Sequence, residues 1–177
     1  MADTQPENTL DALPIFTDHH GEPEIWPGLR IEGLVHNPTL LAQADLEALT
    51  QQILTDDFRC LEGWSVPDQN WEGVPLSILL DVAQPLPNAN YASISAADFS
   101  VTVPLGDGVP DILLATRLNG AALPPQHGGP CRLVAVDQAC YASVKWVDCI
   151  RISEEMPKET AREIAAARNS ARSATTP

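Results

Sequence analysis

The sequence predicts an α+β fold, mixed β-sheets joined by short helices. Three observations predict it. Several short runs alternate apolar and polar residues, as half-buried strands do. Three brief windows read as helices instead. The 16 prolines are spread over the connections between them, and no regular strand–helix–strand alternation appears. At 177 residues and 44% apolar composition, the chain can bury one substantial core, so a single domain is expected.

Taken in order, residues 1–13 are polar and acidic and read as a loose N-terminal segment, the domain proper as 14–155, and 156–177 as a surface helix with a frayed tail. The run "GLRIEGLVHNPTLL" alternates at Leu29, Ile31 and Gly33, then stops at Asn37-Pro38. In "ADLEALTQQI", Leu46, Leu49 and Ile53 fall at i, i+3 and i+7, which predicts an amphipathic helix through Ile53. "GVPLSILLDVAQPLP" predicts a second helix, ended by its prolines. "YASISAADFSVTVPL" and "DILLATRLNG" read as strands, with Asn119-Gly120 as a turn. "PCRLVAV" and "SVKWVDCIRI" are further strand candidates. From Pro157, "PKETAREIAAARNSARS" places Ala161, Ile164, Ala165 and Arg168 on one helical face, with proline at its first turn.

Charge narrows the partners. A net charge of −14 argues against nucleic acid and anionic membrane surfaces. No apolar run approaches the roughly 18 residues of a membrane helix. The four cysteines, Cys60, Cys131, Cys140 and Cys149, show no paired spacing, and no secretory leader precedes them. A cytoplasmic, reducing location is expected, with a periplasmic one if a leader has been removed. Of the ten basic residues only Arg30, Arg59 and Arg117 precede Cys131. A cation within such an acidic stretch is a candidate for holding an anion.

Two segments carry candidate chemistry. In "FRCLEGWSVPDQNWEGVPL", residues 58–76, Cys60 follows Arg59, which favours a thiolate, and precedes Gly63, which permits close approach. Against that stands the small buried hydrophobe that free cysteine often is. The segment is expected to follow a helix. In "LPPQHGGPCRLV", Gly128 and Gly129 lie between His127 and Arg132, so backbone amides can face an anion with an imidazole and a guanidinium beside them; a plain turn is the alternative. Lys145, flanked by Val144 and Trp146, is read on a strand whose alternation sends it to one face and its neighbours to the other. Three cations converging in an acidic chain suit a phosphate.

The ordered runs "RCLEGWS…WEGVPLSILLD", "NGAALPPQHGGPCRLV" and "SVKW" resemble the molybdopterin-binding domain of the sulfite oxidase family, and "LRIEGLVHNPTLLAQADLEAL" is similar to its opening strand and helix. The resemblance spans residues 16–152. It implies the sulfite-oxidase-type molybdopterin-binding fold and a molybdenum–molybdopterin cofactor (Moco). By the same resemblance Cys60 is the thiolate ligand of the metal. His127, Arg132 and the segment Ser143, Val144 and Lys145 hold the pterin phosphate. Ser95, or Ser93, joins them from a strand, and His20, or His19, from the N-terminal segment. Trp64 and Trp71 are candidates for pocket walls or for core, and Tyr141 for a hydrogen-bond donor to substrate or for a structural role.

The "CLEGWS" form looks closer to the methionine sulfoxide reductase catalytic subunit than to sulfite-oxidising members. Arginines that would hold sulfite are replaced by Leu61, Glu62, Gly63 and Trp64, and Glu62 would repel that anion. "VAVDQACYASVKW" departs from the family's usual pattern at Asp137 and at Cys140, Tyr141 and Ala142. The implied function is a mononuclear molybdenum oxidoreductase moving an oxygen atom to or from a small molecule. No haem or flavin motif is seen, so a separate redox partner protein is expected. A degenerate binding module is the alternative; a zinc protein lacks the ligand spacing.

Overall fold

The computed structural model describes residues 23–59, 65–106, 112–135, 142–164 and 166–167, without the side chains of Phe58, Arg59 and Ser65. Two five-stranded sheets form the framework. The first is ordered β2-β1-β10-β5-β6, from β1 (Leu29–Gly33), β2 (Thr39–Leu41), β5 (Tyr91–Ala96), β6 (Phe99–Pro104) and β10 (Cys149–Ser153). The second runs β3-β4-β7-β8, from β3 (Gln52–Arg59), β4 (Ser65–Pro75), β7 (Ile112–Leu118) and β8 (Ala121–Ala122), with β9 (Arg132–Ala135) also paired to β7. Among the described residues only β1 and β10 run parallel; the other strand pairs are antiparallel. The expected mixed sheets with few short helices are therefore present.

The main core lies between the sheets. Leu29, Ile31, Ile94 and Ile150 of the first sheet meet Leu76, Leu79 and Ala83 of helix α2 (Leu76–Ala83) and Val74, Leu114 and Leu133 of the second. A smaller core of Trp71, Leu113, Ala115, Leu118 and Val134 covers the opposite face of the second sheet. β7 supplies both cores from alternate residues. That explains why "ILLATRL" reads as a nearly unbroken apolar run.

Four sequence expectations change. The first helix, α1 (Gln43–Ala48), ends five residues early. Gln51 donates through Nε2 to the carbonyls of Leu46 and Leu49, at 2.8 Å each, and closes the helix end. Ile53 then enters β3 and is 64% exposed, so its i+7 match to Leu46 was coincidence. The segment carrying Cys60 consequently follows a strand, not a helix, and connects β3 to β4 of one hairpin. β4 runs through Pro67, Asp68 and Gly73. Its irregularities sit at a register shift between Glu72 and Gly73 and at the left-handed backbone of Asp68 (φ 53°). Finally, "SVKW" forms no strand; the ladder begins at Cys149.

The C-terminal helical backbone begins at residue 161, not 157, because Thr160 ties its start to the edge of β6. Its hydroxyl accepts from the Ser100 amide at 2.9 Å and donates to the Asp98 carbonyl at 2.6 Å. Ala161 beneath it is fully buried; Ala165 and Arg168 lie outside the described residues. So do residues 1–13.

Gly73 allows β4 and β7 to approach: an added Cβ would lie 2.1 Å from the Leu114 carbonyl oxygen. Both partners are backbone, so neither can swing aside. Gly73→Ala is expected to cost about 3 kcal/mol by forced overpacking, read as a lower urea midpoint at unchanged slope. An unchanged midpoint would contradict this account of the strand contact.

Candidate functional site

The described candidate residues gather on one short turn. Pro125–His127 forms a single 3-10 turn, started by Pro124 and Pro125 and ended by Gly128 in left-handed backbone (φ 97°). β9 follows, delivering Arg132, and residues 142–148 fold back over the turn. Val147 N–H donates to the Cys131 carbonyl at 2.9 Å, and Leu133 N–H to the Val144 carbonyl at 2.8 Å.

Three successive carbonyls of the turn accept from three side chains. Trp146 Nε1 donates to Pro125 O at 2.8 Å, Lys145 Nζ to Gln126 O at 2.8 Å, and Arg132 Nη1 to His127 O at 3.0 Å. His127 and Arg132 are 3% and 5% exposed, depths at which charge requires compensation. Arg132 also lies over the ring of Trp71, 5.3 Å from guanidinium carbon to centroid. Trp71 is thus a core tryptophan that supports the site from beneath. Lys145 lies 5.5 Å from the Trp146 ring centroid.

His127, Arg132 and Lys145 therefore do converge, as the sequence suggested, but the geometry differs in two respects. The amides of Gly128 and Gly129 donate to Pro125 O (2.8 Å) and Pro124 O (3.1 Å), so they do not face an anion. The glycine at 128 serves close approach instead: its Cβ would sit 2.8 Å from Lys145 Cγ. Lys145 also lies in a loop. Val144 and Trp146 are buried beside a half-buried Lys145, but the loop's bonds to Gly128, Cys131 and Leu133 achieve this, not strand alternation.

Ser143 is half-buried, whereas Val144 is buried within the main core and can offer only backbone to a ligand. Ser95 lies opposite Cys149, and its carbonyl accepts from Asp148 N–H at 3.0 Å, which ties β5 to the end of the same loop. Burial raises the Asp148 carboxyl above its ordinary range, and Arg30 pulls it part of the way back. Ser93 lies on the same strand, opposite Arg151. Cys60, Tyr141, His20, His19, Trp64, Glu62, Asp137 and Cys140 lie outside the described residues. The remaining two cysteines, Cys131 and Cys149, are buried free thiols. Desolvation alone pushes Cys131 up to about 12.

Sequence reasoning missed the roles of Trp146 and Trp26. Trp26 Nε1 donates to Val147 O at 2.9 Å and holds the far end of the loop. Trp26 also borders an open cleft of about 520 Å³ with Pro27, Leu123, Pro125 and Pro130. Among the described residues no group of three or more His, Cys, Asp or Glu side chains could hold a metal ion. Among them, too, no helix is long and apolar enough to cross a membrane.

The chain is similar to known proteins. The oxidoreductase molybdopterin binding domain matches residues 18–161. YuiH of Bacillus subtilis (strain 168), an uncharacterized oxidoreductase, is 33% identical over 156 residues, covering 84% of this chain and 78% of its own length. MsrP of Gluconobacter oxydans (strain 621H), a protein-methionine-sulfoxide reductase catalytic subunit, is 29% identical over 160 residues, 77% of this chain and 50% of that protein. The crystal structure of the sulfane dehydrogenase SoxCD from Paracoccus pantotrophus superposes with a TM-score of 0.68 at 26% identity. It covers 75% of this chain and 39% of that one.

Two outcomes follow from the site's geometry. Gly128→Ala should displace Lys145 and strain the turn, lowering affinity for a phosphate-bearing ligand by roughly 10–100-fold, as loss of a supporting contact does. Native gel shift or ligand content after gel filtration checks it. The Cys131 thiol keeps its proton in the fold while the unfolded chain releases it near the ordinary value of 9.0. Its contribution to stability is therefore full below about pH 9 and lost as pH rises toward 12. Native protein at pH 8 should leave Cys131 unlabelled by iodoacetamide, and peptide mass mapping would show any labelling.

Proposed function

This chain belongs to the sulfite oxidase family of molybdopterin-binding oxidoreductases, and from that premise we propose that it reduces a small sulfoxide, N-oxide or related oxo compound by oxygen-atom transfer. The supporting observation is the gathering of His127, Arg132 and Lys145 on a single turn. The family's cofactor is molybdenum–molybdopterin, and when bound it supplies two-electron oxygen-atom chemistry.

The donor set fits that group. An imidazole, a guanidinium and an ammonium border one turn of a chain whose net charge is −14, so a phosphate would find its charge compensated locally. Lys145, half-buried, can exchange its carbonyl acceptor for a phosphate oxygen; Arg132 is held more rigidly between the Trp71 ring and the His127 carbonyl. Ser143, the backbone of Val144, and Ser95 add polar contacts, and His20 lends one from the N-terminal segment. Cys60 is assigned as the metal's thiolate ligand, for which a soft sulfur donor is suited. Tyr141 is assigned to orient the substrate by donating a hydrogen bond.

The sulfoxide class draws support from the name of the MsrP relative and from Glu62, which disfavours anionic substrates. Removing the oxygen atom as water consumes two electrons and two protons. A separate partner protein delivers the electrons.

The test is expression in a host that makes the cofactor. Molybdenum and oxidised-pterin fluorescence should be stoichiometric with the chain, and reduced viologen should be consumed with a sulfoxide or N-oxide. Cys60→Ala should lose metal and turnover by more than the roughly 10–100-fold of a lost supporting contact. Wild-type protein without metal and pterin rejects the assignment of the site. Cofactor without turnover on any oxo compound rejects the reaction and leaves a binding module.

A further inference from the structure

Trp146 has no role in the chemistry assigned so far, yet its backbone is the most unexpected at the site. It adopts left-handed geometry (φ 55°), where a bulky aromatic is a genuine outlier. Such a conformation persists only where the surroundings over-determine it, and they do. Trp146 N–H donates to Gly128 O at 3.1 Å, its indole Nε1 donates to Pro125 O at 2.8 Å, and its ring lies beside the Lys145 ammonium at 5.5 Å.

The consequence is geometric. The backbone and indole bonds of Trp146 grip Pro125 and Gly128, the residues on either side of Gln126 and His127. The chain reversal at residue 146 simultaneously lays the stem of Lys145 across Gly128, where a Cβ would meet Lys145 Cβ, Cγ and Cα between 2.8 and 3.0 Å. One residue thus fixes the relative placement of His127, which rides on the turn, and Lys145, which rides on the loop. Arg132 reaches the same turn independently through β9.

We propose that Trp146 is a positioning residue which holds the His127 turn and Lys145 in register, so that both side chains meet one phosphate of the cofactor. The inference rests on the cofactor assignment above, and its test has a readout that does not. Trp146→Phe keeps a ring but loses the indole donor. Trp26→Phe is the matched control, since it loses an equivalent indole bond, to Val147 O in the same loop, that does not touch the turn. Each variant is made with and without cofactor supply. Molybdenum and pterin content is measured on the first preparation, and melting temperature and trypsin cleavage after Lys145 on the second.

Trp146→Phe should hold roughly 10-fold less cofactor than wild type, and its cofactor-free chain should be cut faster after Lys145 at a melting temperature close to wild type. Trp26→Phe should retain the cofactor and the wild-type cleavage rate. Trp146→Gly provides a second variant, because glycine relieves the left-handed backbone while deleting the ring. It should melt lower than Trp146→Phe, because the buried ring is deleted, and still lose the cofactor. Equal cofactor content in wild type and Trp146→Phe overturns the proposal, as does equal loss in Trp146→Phe and Trp26→Phe. If the wild type carries no cofactor, the assignment of the site fails. Unchanged cleavage after Lys145 in the cofactor-free variants would overturn the positioning role separately.

Discussion

Three neighbouring carbonyl groups, those of Pro125, Gln126 and His127, organise the side chains of Trp146, Lys145 and Arg132 at the site. Backbone oxygens of a tight turn project in different directions, so each can receive a donor arriving from a different part of the chain. A tryptophan and a lysine arrive from the 142–148 loop, and an arginine from β9. Carbonyl dipoles can accept from cations without fully neutralising them, which leaves charge available to a phosphate. A carboxylate in the same place would compete with that phosphate.

The two sheets make this meeting possible. β7 pairs with β4 on one side and β9 on the other, so Trp71 and Arg132 come from strands flanking a common neighbour. The tryptophan ring covers the guanidinium with a polarizable surface in a part of the fold where water is scarce. β10 fixes the exit of the 142–148 loop, and the Ser95 carbonyl holds Asp148 at that exit. The site is therefore assembled from local turns whose positions are set by distant strand pairings.

Sequence reading recovered elements whose side chains declare their environment. The alternation in "YASISAADFSVTVPL" became the β5–β6 hairpin, and the apolar run of β7 followed from burial on both faces. His127, Arg132 and Lys145 were legible because their chemical types stand out in an acidic chain. What stayed illegible was written in the backbone. The end of α1 depends on the Gln51 amide reaching two carbonyls. The strand-like look of "SVKW" conceals a left-handed residue that no side-chain periodicity reports. Gly128 and Gly129 suggested open amides, whereas both amides are already used within the turn. Propensity describes residues one at a time, and these features are relations between segments.

The parallel pairing of β1 with β10 carries a consequence for biogenesis. Leu29–Gly33 lies between β2 and Cys149–Ser153 in its sheet, and β5 reaches that sheet only through β10. During synthesis the early strand must wait until more than a hundred further residues have emerged from the ribosome. The ordering cost of that closure precedes its reward, which makes it a slow step. The loop bearing Lys145 is anchored by the same late strand, so the nascent chain cannot present a finished site. Any prosthetic group must enter after translation has passed β10.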